Sequence, residues 1–229
     1  MHNNRVRLVP TPHQTFEITG FDFAAALERS YRLQSEGDVH GACTLRYDSF
    51  RHIVDTLPDD DEVVLEWEHR NSRAAIETVQ ASAVDHFLLG DLEMATAMLE
   101  MLLDVDPEDH TGSVVLLAFC YVATDEYELF DSLLTDIAEG AAARHILLAW
   151  SSFRRTGTID PDELALLRER YGCWVEEFCA DEHAADAEYM SSLESERPSS
   201  RMQARRLWLQ TENLWLGNRD FIDELRRKR

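Results

Sequence analysis

The sequence predicts an all-α protein built from paired helices. Its 229 residues include only 9 glycines and 6 prolines, so long helices would meet few interruptions, whereas sandwiches and barrels need many turn residues. Apolar side chains recur at spacings of three and four, which places them on one face of a helix. The alternation typical of strands is scarce. With 45% apolar residues, a chain of this length can bury a substantial core.

The first helical pair is expected over residues 22–58. Asp22 can cap its first helix, which would stop at Gly37, and Asp38 can cap the second. Arg46 stands in the second helix where a large apolar residue is expected. This pair is therefore a degenerate version of the ones that follow.

Two segments break the helical pattern. Residues 1–21 predict an extended or loosely ordered arm, because two prolines interrupt it. The run Asp59-Asp60-Asp61-Glu62 indicates a solvated linker or helix start; four carboxylates can also bind a hard cation, but the spacing of an EF-hand loop is absent. Residues 63–67 form an apolar insert expected to pack across the first pair.

The clearest helical pairs are expected over residues 72–109 and 110–140. In the first, Gly90 and Asp91 mark the turn between helices, and Asp125 occupies the corresponding turn of the second. A weaker pair is expected over residues 141–171.

The helix that begins near residue 160 has the strongest start signal. Asp160 stands at the cap, Pro161 at the first helical position, and Glu163 is placed to close a capping box.

Residues 172–229 are expected to form a C-terminal helical cap. We expect one helix over residues 173–193, then a long helix that begins near Ser200 and carries Trp208 and Trp215 on one stripe.

The tandem pairs share residues at nearly the same offsets. These are Ala83, Gly90, Asp91, Ala95, Leu99, Leu102, Asp106 and Pro107 in one, and Ala118, Tyr121, Asp125, Glu126 and Tyr127 in the next. This pattern resembles the tetratricopeptide repeat, a family that includes bacterial proteins. The resemblance implies an α-α superhelix that works as a protein–protein interaction scaffold or adaptor. His86 in place of an aromatic residue and Asp125 in place of glycine depart from the family pattern.

In that family the first helix of each pair lines a groove that binds a peptide or helix. Carried over residue by residue, the resemblance assigns the groove to Gln80, Val84, Phe87, Leu88, Val115, Phe119 and Val122. The Lys, Arg and Asn residues with which some members hold a partner's terminal carboxylate are missing. Either a hydrophobic partner segment fills this apolar groove, or the helix with Trp208 and Trp215 fills it or caps the repeat array.

The formal charge is −22, from 44 acidic and 22 basic residues. Such a chain repels phosphate, so the sequence predicts no binding of nucleic acid. From Arg201 onward, eight basic residues stand against four acidic ones. The alternatives are a basic protein or peptide partner, self-association of tail and body as a homodimer, and, more weakly, an acidic mimic of nucleic acid.

The sequence also predicts a cytoplasmic protein with no membrane association. No apolar run approaches the roughly 20 residues that span a bilayer, and residues 1–12 lack the features of a secretory signal. The four cysteines are expected to be free thiols in a reducing compartment.

No catalytic or cofactor-binding motif is present. Nucleophile elbows, glycine-rich phosphate loops and the HExxH motif are all missing, so we expect neither an enzyme nor a bound cofactor or metal. The alternative is a metal-dependent or hydrolytic activity built on Cys173, Cys179, His183 and nearby carboxylates, whose spacing resembles a partial metal site without a fourth ligand.

Overall fold

The computed structural model describes residues 6–58, 62–193, 195 and 197–227, and over these residues it is all-α apart from one small hairpin. It divides into two compact units, unit 1 (Met1–Leu117) and unit 2 (Ala118–Arg229). None of the described helices is long and apolar enough to cross a membrane. Of the acidic run predicted as a linker or cation site, Asp59–Asp61 lies outside the described residues.

Unit 1 consists of a two-stranded hairpin and four helices, and α5 begins within it. The elements are β1 (Arg7–Pro10), β2 (Phe16–Thr19), α1 (Phe23–Ser35), α2 (Val39–Val54), α3 (Arg70–Leu88), α4 (Leu92–Val105) and α5 (Ser113–Ala123). Helix α1 packs against α2 and α3, and α3 packs against α4.

Unit 2 contains the end of α5 and eight further helices among its described residues. These are α6 (Tyr127–Leu133), α7 (Ala142–Thr156), α8 (Pro161–Arg170), α9 (Gly172–Phe178), α10 (Ala187–Leu193), α11 (Ser200–Gln210), α12 (Glu212–Gly217) and α13 (Arg219–Arg226). A short 3₁₀ turn, Leu134–Asp136, follows α6.

The same backbone turn recurs between three helix pairs. In each, an N–H reaches back to the carbonyl five residues earlier: Asp38 to Leu33 (2.9 Å), Asp91 to His86 (3.0 Å) and Glu126 to Tyr121 (2.8 Å). This bond closes a Schellman motif, whose turn residue needs a left-handed conformation. Gly37 and Gly90 supply it with φ of 88° and 80°, and Asp125 with φ of 64°.

Aspartate side chains start the predicted helices. Asp22, Asp38 and Asp91 accept hydrogen bonds from the N–H three residues on, at 3.0, 2.9 and 3.3 Å. These bonds satisfy N–H groups that have no partner within the helix. The predicted starts of α1, α2 and α4 are confirmed.

The prediction for α8 is confirmed at its cap and wrong for its capping box. Asp160 accepts from the N–H groups of Asp162 and Glu163, both at 3.0 Å. The Glu163 carboxylate instead pairs with Nδ1 of His145 on α7, at 2.7 Å. The Asp160 N–H donates to Ser152. Both groups of the predicted capping box therefore bond to side chains of α7 instead of to each other.

The N-terminal segment, predicted to be an extended or loosely ordered arm, is extended and ordered over the described residues 6–21. Strands β1 and β2 pair antiparallel, with Leu8 opposite Ile18, and Ile18 is fully buried. Two side chains at the start of α3 hold this hairpin. Asn71 donates to the carbonyls of Ile18 (2.8 Å) and Phe21 (2.9 Å) and accepts from the N–H of Phe23 (2.9 Å). The hydroxyl of Ser72 accepts from the N–H of Ile18 (3.0 Å).

The single helix predicted over residues 173–193 is wrong. Helix α9 ends at Phe178, and α10 begins only at Ala187. Arginines from other helices bind carbonyls in the interval: Arg226 donates to Cys179 (2.6 Å) and Arg205 to Ala184 (3.3 Å). These carbonyls are satisfied without a helical N–H.

The long helix predicted from Ser200 is interrupted at Thr211. This residue has φ of −121°, and its hydroxyl donates to the carbonyl of Leu207 (2.6 Å) and accepts from the indole N–H of Trp215 (2.8 Å). Trp215 is thereby fixed in an aromatic core. Its ring lies 5.4 Å from Trp150 and 5.5 Å from Phe221.

Arg46 is buried as one half of an ion pair. Its guanidinium contacts both carboxylate oxygens of Asp85 on α3, at 2.9 and 3.1 Å, and donates to Ser30 and Gln34 on α1. The Arg46 and Asp85 side chains are 5% and 13% exposed. Arg46, which stands where an apolar residue is expected, therefore lies where α1, α2 and α3 meet.

We expect Arg46→Ala to lower the free energy of unfolding by about 3 kcal/mol, because it leaves Asp85 unpaired in a largely buried position. Urea denaturation followed by circular dichroism measures this. Arg46→Met combined with Asp85→Leu should recover most of the loss. Removing the exposed partner of Glu28 in Arg32→Ala should cost less than about 0.5 kcal/mol. Equal losses in Arg46→Ala and Arg32→Ala would contradict the role assigned to Arg46.

We expect Asn71→Ala to cost about 2 kcal/mol, because three backbone groups lose their partner at once. The matched variant Asn218→Ala loses one side-chain bond, to the carbonyl of Leu214, and should cost about 0.5–1 kcal/mol. Amide hydrogen exchange should accelerate across β2 in Asn71→Ala. Unchanged exchange there would show that the hairpin is held by other contacts.

Candidate binding groove

A groove with a volume of about 710 Å³ lies in unit 1, and most of the residues that line it are apolar. Three pieces of chain line it: the end of α2, the segment that begins at Glu62, and the last turn of α4 with Pro107. Its apolar surface comes mainly from Val54, Leu57, Val64, Met101 and Leu103.

Backbone hydrogen bonds fix the wall formed by residues 62–66. The N–H of Leu65 donates to the carbonyl of Val105 at the end of α4, at 2.8 Å. The N–H of Phe16 on β2 donates to Val64, and the N–H of Glu66 donates back to Phe16, both at 2.8 Å. The wall is therefore joined to α4 on one side and to the hairpin on the other.

A side-chain bond reinforces the link to the hairpin. The hydroxyl of Thr15 donates to the Glu66 carboxylate at 2.6 Å, and this bond lowers the pKa of the Glu66 carboxyl. The negative charge of Glu66 is used within the fold, next to the groove wall.

The groove has a buried base and an accessible rim. Val63, Leu65 and Val105 are buried, so they belong to the core beneath it. Val54 is 45% exposed, while Glu62 and Asp104 are exposed at the edge. The groove thus offers apolar surface to a ligand, and the charged residues that line it in the described structure are both acidic.

Three of the residues that the resemblance assigns to a groove belong to the core. Phe87, Phe119 and Val122 are fully buried, so a partner could reach them only by displacing packed side chains. Their burial follows from the same apolar character that made them groove candidates.

The other four are not fully buried. Gln80, Val84 and Val115 are half-buried, and the Gln80 amide donates to the carbonyl of Thr111 at 2.8 Å. Leu88 is 41% exposed. These positions remain a predicted contact surface, separate from the cavity between α2 and α4.

Trp215 covers one of the predicted groove residues. Its ring meets that of Phe119 edge to face, with centroids 5.7 Å apart. Within unit 2, a side chain of the C-terminal helices therefore covers the apolar surface at Phe119. This is what we expect if the chain itself fills this part of the predicted groove. Trp208 does something different and stacks on His183, with centroids 3.5 Å apart.

The alternative metal site does not form among the residues that the structure describes. Among the described residues, no three potential ligand side chains converge as a metal site. Cys173 lines a shallow pocket beside Trp174, whereas the thiol of Cys179 faces the carbonyl of Ile222 at 3.9 Å. Burial raises the pKa of the Cys179 thiol against the opposing charge of Arg226, which disfavours its thiolate form.

His183 belongs to a charged cluster that the cysteine spacing did not indicate. The buried Glu177 carboxylate accepts from Arg205 at 2.7 and 3.3 Å and lies 3.4 Å from Nδ1 of His183. Arg205 also donates to Asp186 at 3.1 Å. Burial acts to raise the pKa of Glu177, but the bonds and charges of Arg205 and His183 outweigh it, so the pKa is lowered. The cluster fixes α9 to α11.

A smaller pocket of about 210 Å³ adjoins this cluster in unit 2 and includes His183, Trp208 and Arg226 in its lining. Arg226 is already bound to Asp181 at 3.1 Å and to the carbonyl of Cys179. Of the two arginines that line this pocket, Arg219 and Arg226, the second is therefore used by the fold.

The groove in unit 1 had a partial signal in the sequence. The apolar insert at residues 63–67 was recognisable, and so were the apolar ends of α2 and α4. Their juxtaposition depends on the pairing of Phe16 with Leu65, which joins residues far apart in the chain.

No protein-family model, curated protein or solved structure matches this chain. The resemblance to the tetratricopeptide repeat therefore remains a prediction.

We expect Glu177→Gln to lower the free energy of unfolding at pH 7 by about 2 kcal/mol, because a charge-assisted bond to Arg205 is lost. Since the folded-state pKa of Glu177 is lowered from 4.5, its stabilisation is present above about pH 4.5 and disappears as the pH falls through the folded pKa. The difference between wild type and variant should shrink over that acidic range.

The adjacent residue provides the matched control. Glu176 pairs with Arg201 at an exposed position, so Glu176→Gln should change stability by less than about 0.5 kcal/mol at any pH. Urea unfolding followed by tryptophan fluorescence measures both variants. A constant difference between wild type and Glu177→Gln from pH 7 to pH 3 would contradict the assignment.

Proposed function

We propose that this chain is a protein–protein interaction module, in which a scaffold of paired helices holds an apolar groove open for a segment of another protein. The observation that carries the proposal is the groove lined by the end of α2, residues 62–64 and the end of α4. Its volume of about 710 Å³ lies within the range of about 300–1,000 Å³ typical of ligand sites. A groove of this volume can hold several side chains of a peptide or helix.

The hydrogen bonds of the groove wall support a binding site that is already formed before a partner binds. The wall at Leu65 is bonded to Val105 on one side, and Val64 is bonded to Phe16 on the other. A partner would not have to order this wall when it binds, which reduces the entropic cost of association.

The polar clusters support a binding role over the hydrolytic alternative. His145–Glu163 joins α7 to α8, and Glu177–Arg205 joins α9 to α11. Each pair spans two helices and has a structural use. The proposed partner is a protein or peptide, and the proposal invokes no cofactor.

A photo-crosslinking residue placed in the groove tests the proposal. Val54 and Val39 are both partly exposed valines on α2, at 45% and 56%, and only Val54 lines the groove. We expect p-benzoylphenylalanine at position 54 to give discrete adducts with another protein in a native lysate, because that side chain faces the occupied site. The same residue at position 39 should give none.

Mass spectrometry of the adducts identifies the crosslinked protein and peptide. Adducts of equal yield at positions 39 and 54, or none at position 54, would contradict the proposed binding function of the groove. Thermal denaturation of both labelled proteins establishes that they are folded.

A further inference from the structure

We infer that the groove binds a basic amphipathic segment of a different protein, whose apolar side chains fill the groove while its lysines and arginines meet carboxylates on the rim. This inference rests on the proposed function, since it names the class of partner for the same groove.

In the two stretches of chain that form the groove, every charged residue is acidic. Residues 54–66 and 100–109 together carry eleven Asp and Glu residues and no Lys, Arg or His. Several of these carboxylates are used by the fold: Glu66 accepts from Thr15, Asp106 and Glu108 pair with His110, and Asp109 accepts from the N–H groups of Ser113 and Val114. The carboxylates that concern a partner are those at the rim of the groove.

Two carboxylates at the rim are available to a partner. Glu62 and Asp104 line the groove and are exposed. Neither forms an ion pair with any residue that the structure describes. They flank an apolar surface that includes Leu57 and Leu103. A complementary segment must combine large apolar side chains with positive ones.

Other occupants fit less well. An acidic segment or a nucleic acid would bring negative charge to a rim that is already negative, and like charges placed together disfavour such partners. The basic C-terminal tail of a second copy has the required charge. Its apolar residues Phe221 and Leu225 are buried within unit 2, so they could enter a groove only if α13 left its own core.

Three synthetic 15-residue peptides separate the apolar from the charged contribution. The first places Leu at helical spacing with Lys elsewhere, the second replaces Lys with Glu, and the third replaces Leu with Ser and keeps Lys. Fluorescence anisotropy with the full-length protein measures their affinity. We expect the Leu-Lys peptide to bind at least about tenfold more tightly than the other two, with weaker binding at higher salt because ions screen the rim charges.

Matched charge reversals then locate the binding site. Glu62→Lys with Asp104→Lys changes the rim, whereas Asp48→Lys with Glu169→Lys makes the same change in net charge at exposed positions that do not line the groove. The rim variant should weaken the Leu-Lys peptide by about tenfold, and the control by no more than about twofold. Val54→Gln should also weaken binding, whereas Val39→Gln should not.

The outcomes are distinct. Equal losses in the two charge variants would show attraction to the whole acidic protein and overturn the inference. Discrete crosslinks from position 54 together with binding of the Leu-Glu peptide would leave the proposed function standing and overturn the partner class. A dimer, detected by light scattering, that the rim reversal abolishes would identify a second copy as the occupant and overturn it as well.

Discussion

The placement of the hairpin on α3 is the constraint on which the groove depends. Asn71 and Ser72 occupy the first turn of α3, where a helix has unused N–H groups and the chain must turn. Their side chains bind backbone groups of Ile18, Phe21 and Phe23. Strand β2 is thereby held against α3, and its residue Phe16 in turn binds the wall at Val64 and Glu66. Hydrogen bonds at both ends of β2, joined by the backbone of the strand, therefore connect α3 to the groove wall.

Buried charge joins helices in both units by the same physical means. Arg46 and Asp85 connect α2 to α3, and Glu177 and Arg205 connect α9 to α11. In each pair the carboxylate accepts two bonds from a guanidinium, which offsets part of the cost of removing both charges from water. Replacing one partner leaves the other charge uncompensated. Such pairs therefore restrict which helices can pack together more than they add to total stability.

Local signals made much of the helical structure predictable, whereas long-range pairing decided the rest. Asp22, Asp38 and Asp91 predicted helix starts because a capping side chain acts on its own next turn. The hairpin could not be predicted in this way, since Ile18 is ordered by Asn71 and Ser72 of α3. Arg46 could be seen as anomalous, but nothing near it in the sequence indicates Asp85. The candidate groove requires Phe16 beside Leu65, and no periodic pattern encodes that contact.

The turn at Asp125 shows what a helical pair needs between its helices. Its φ of 64° matches the left-handed turns at Gly37 and Gly90, although a side chain makes that conformation costly. The Asp125 carboxylate accepts from Tyr127 at 2.6 Å and Arg154 at 2.9 Å, so nearby polar groups offset the strain. The requirement is thus a backbone angle and not a particular amino acid. Arrays of such pairs can exchange glycine for a well-bonded aspartate, and their sequences can drift apart while the path of the chain stays the same.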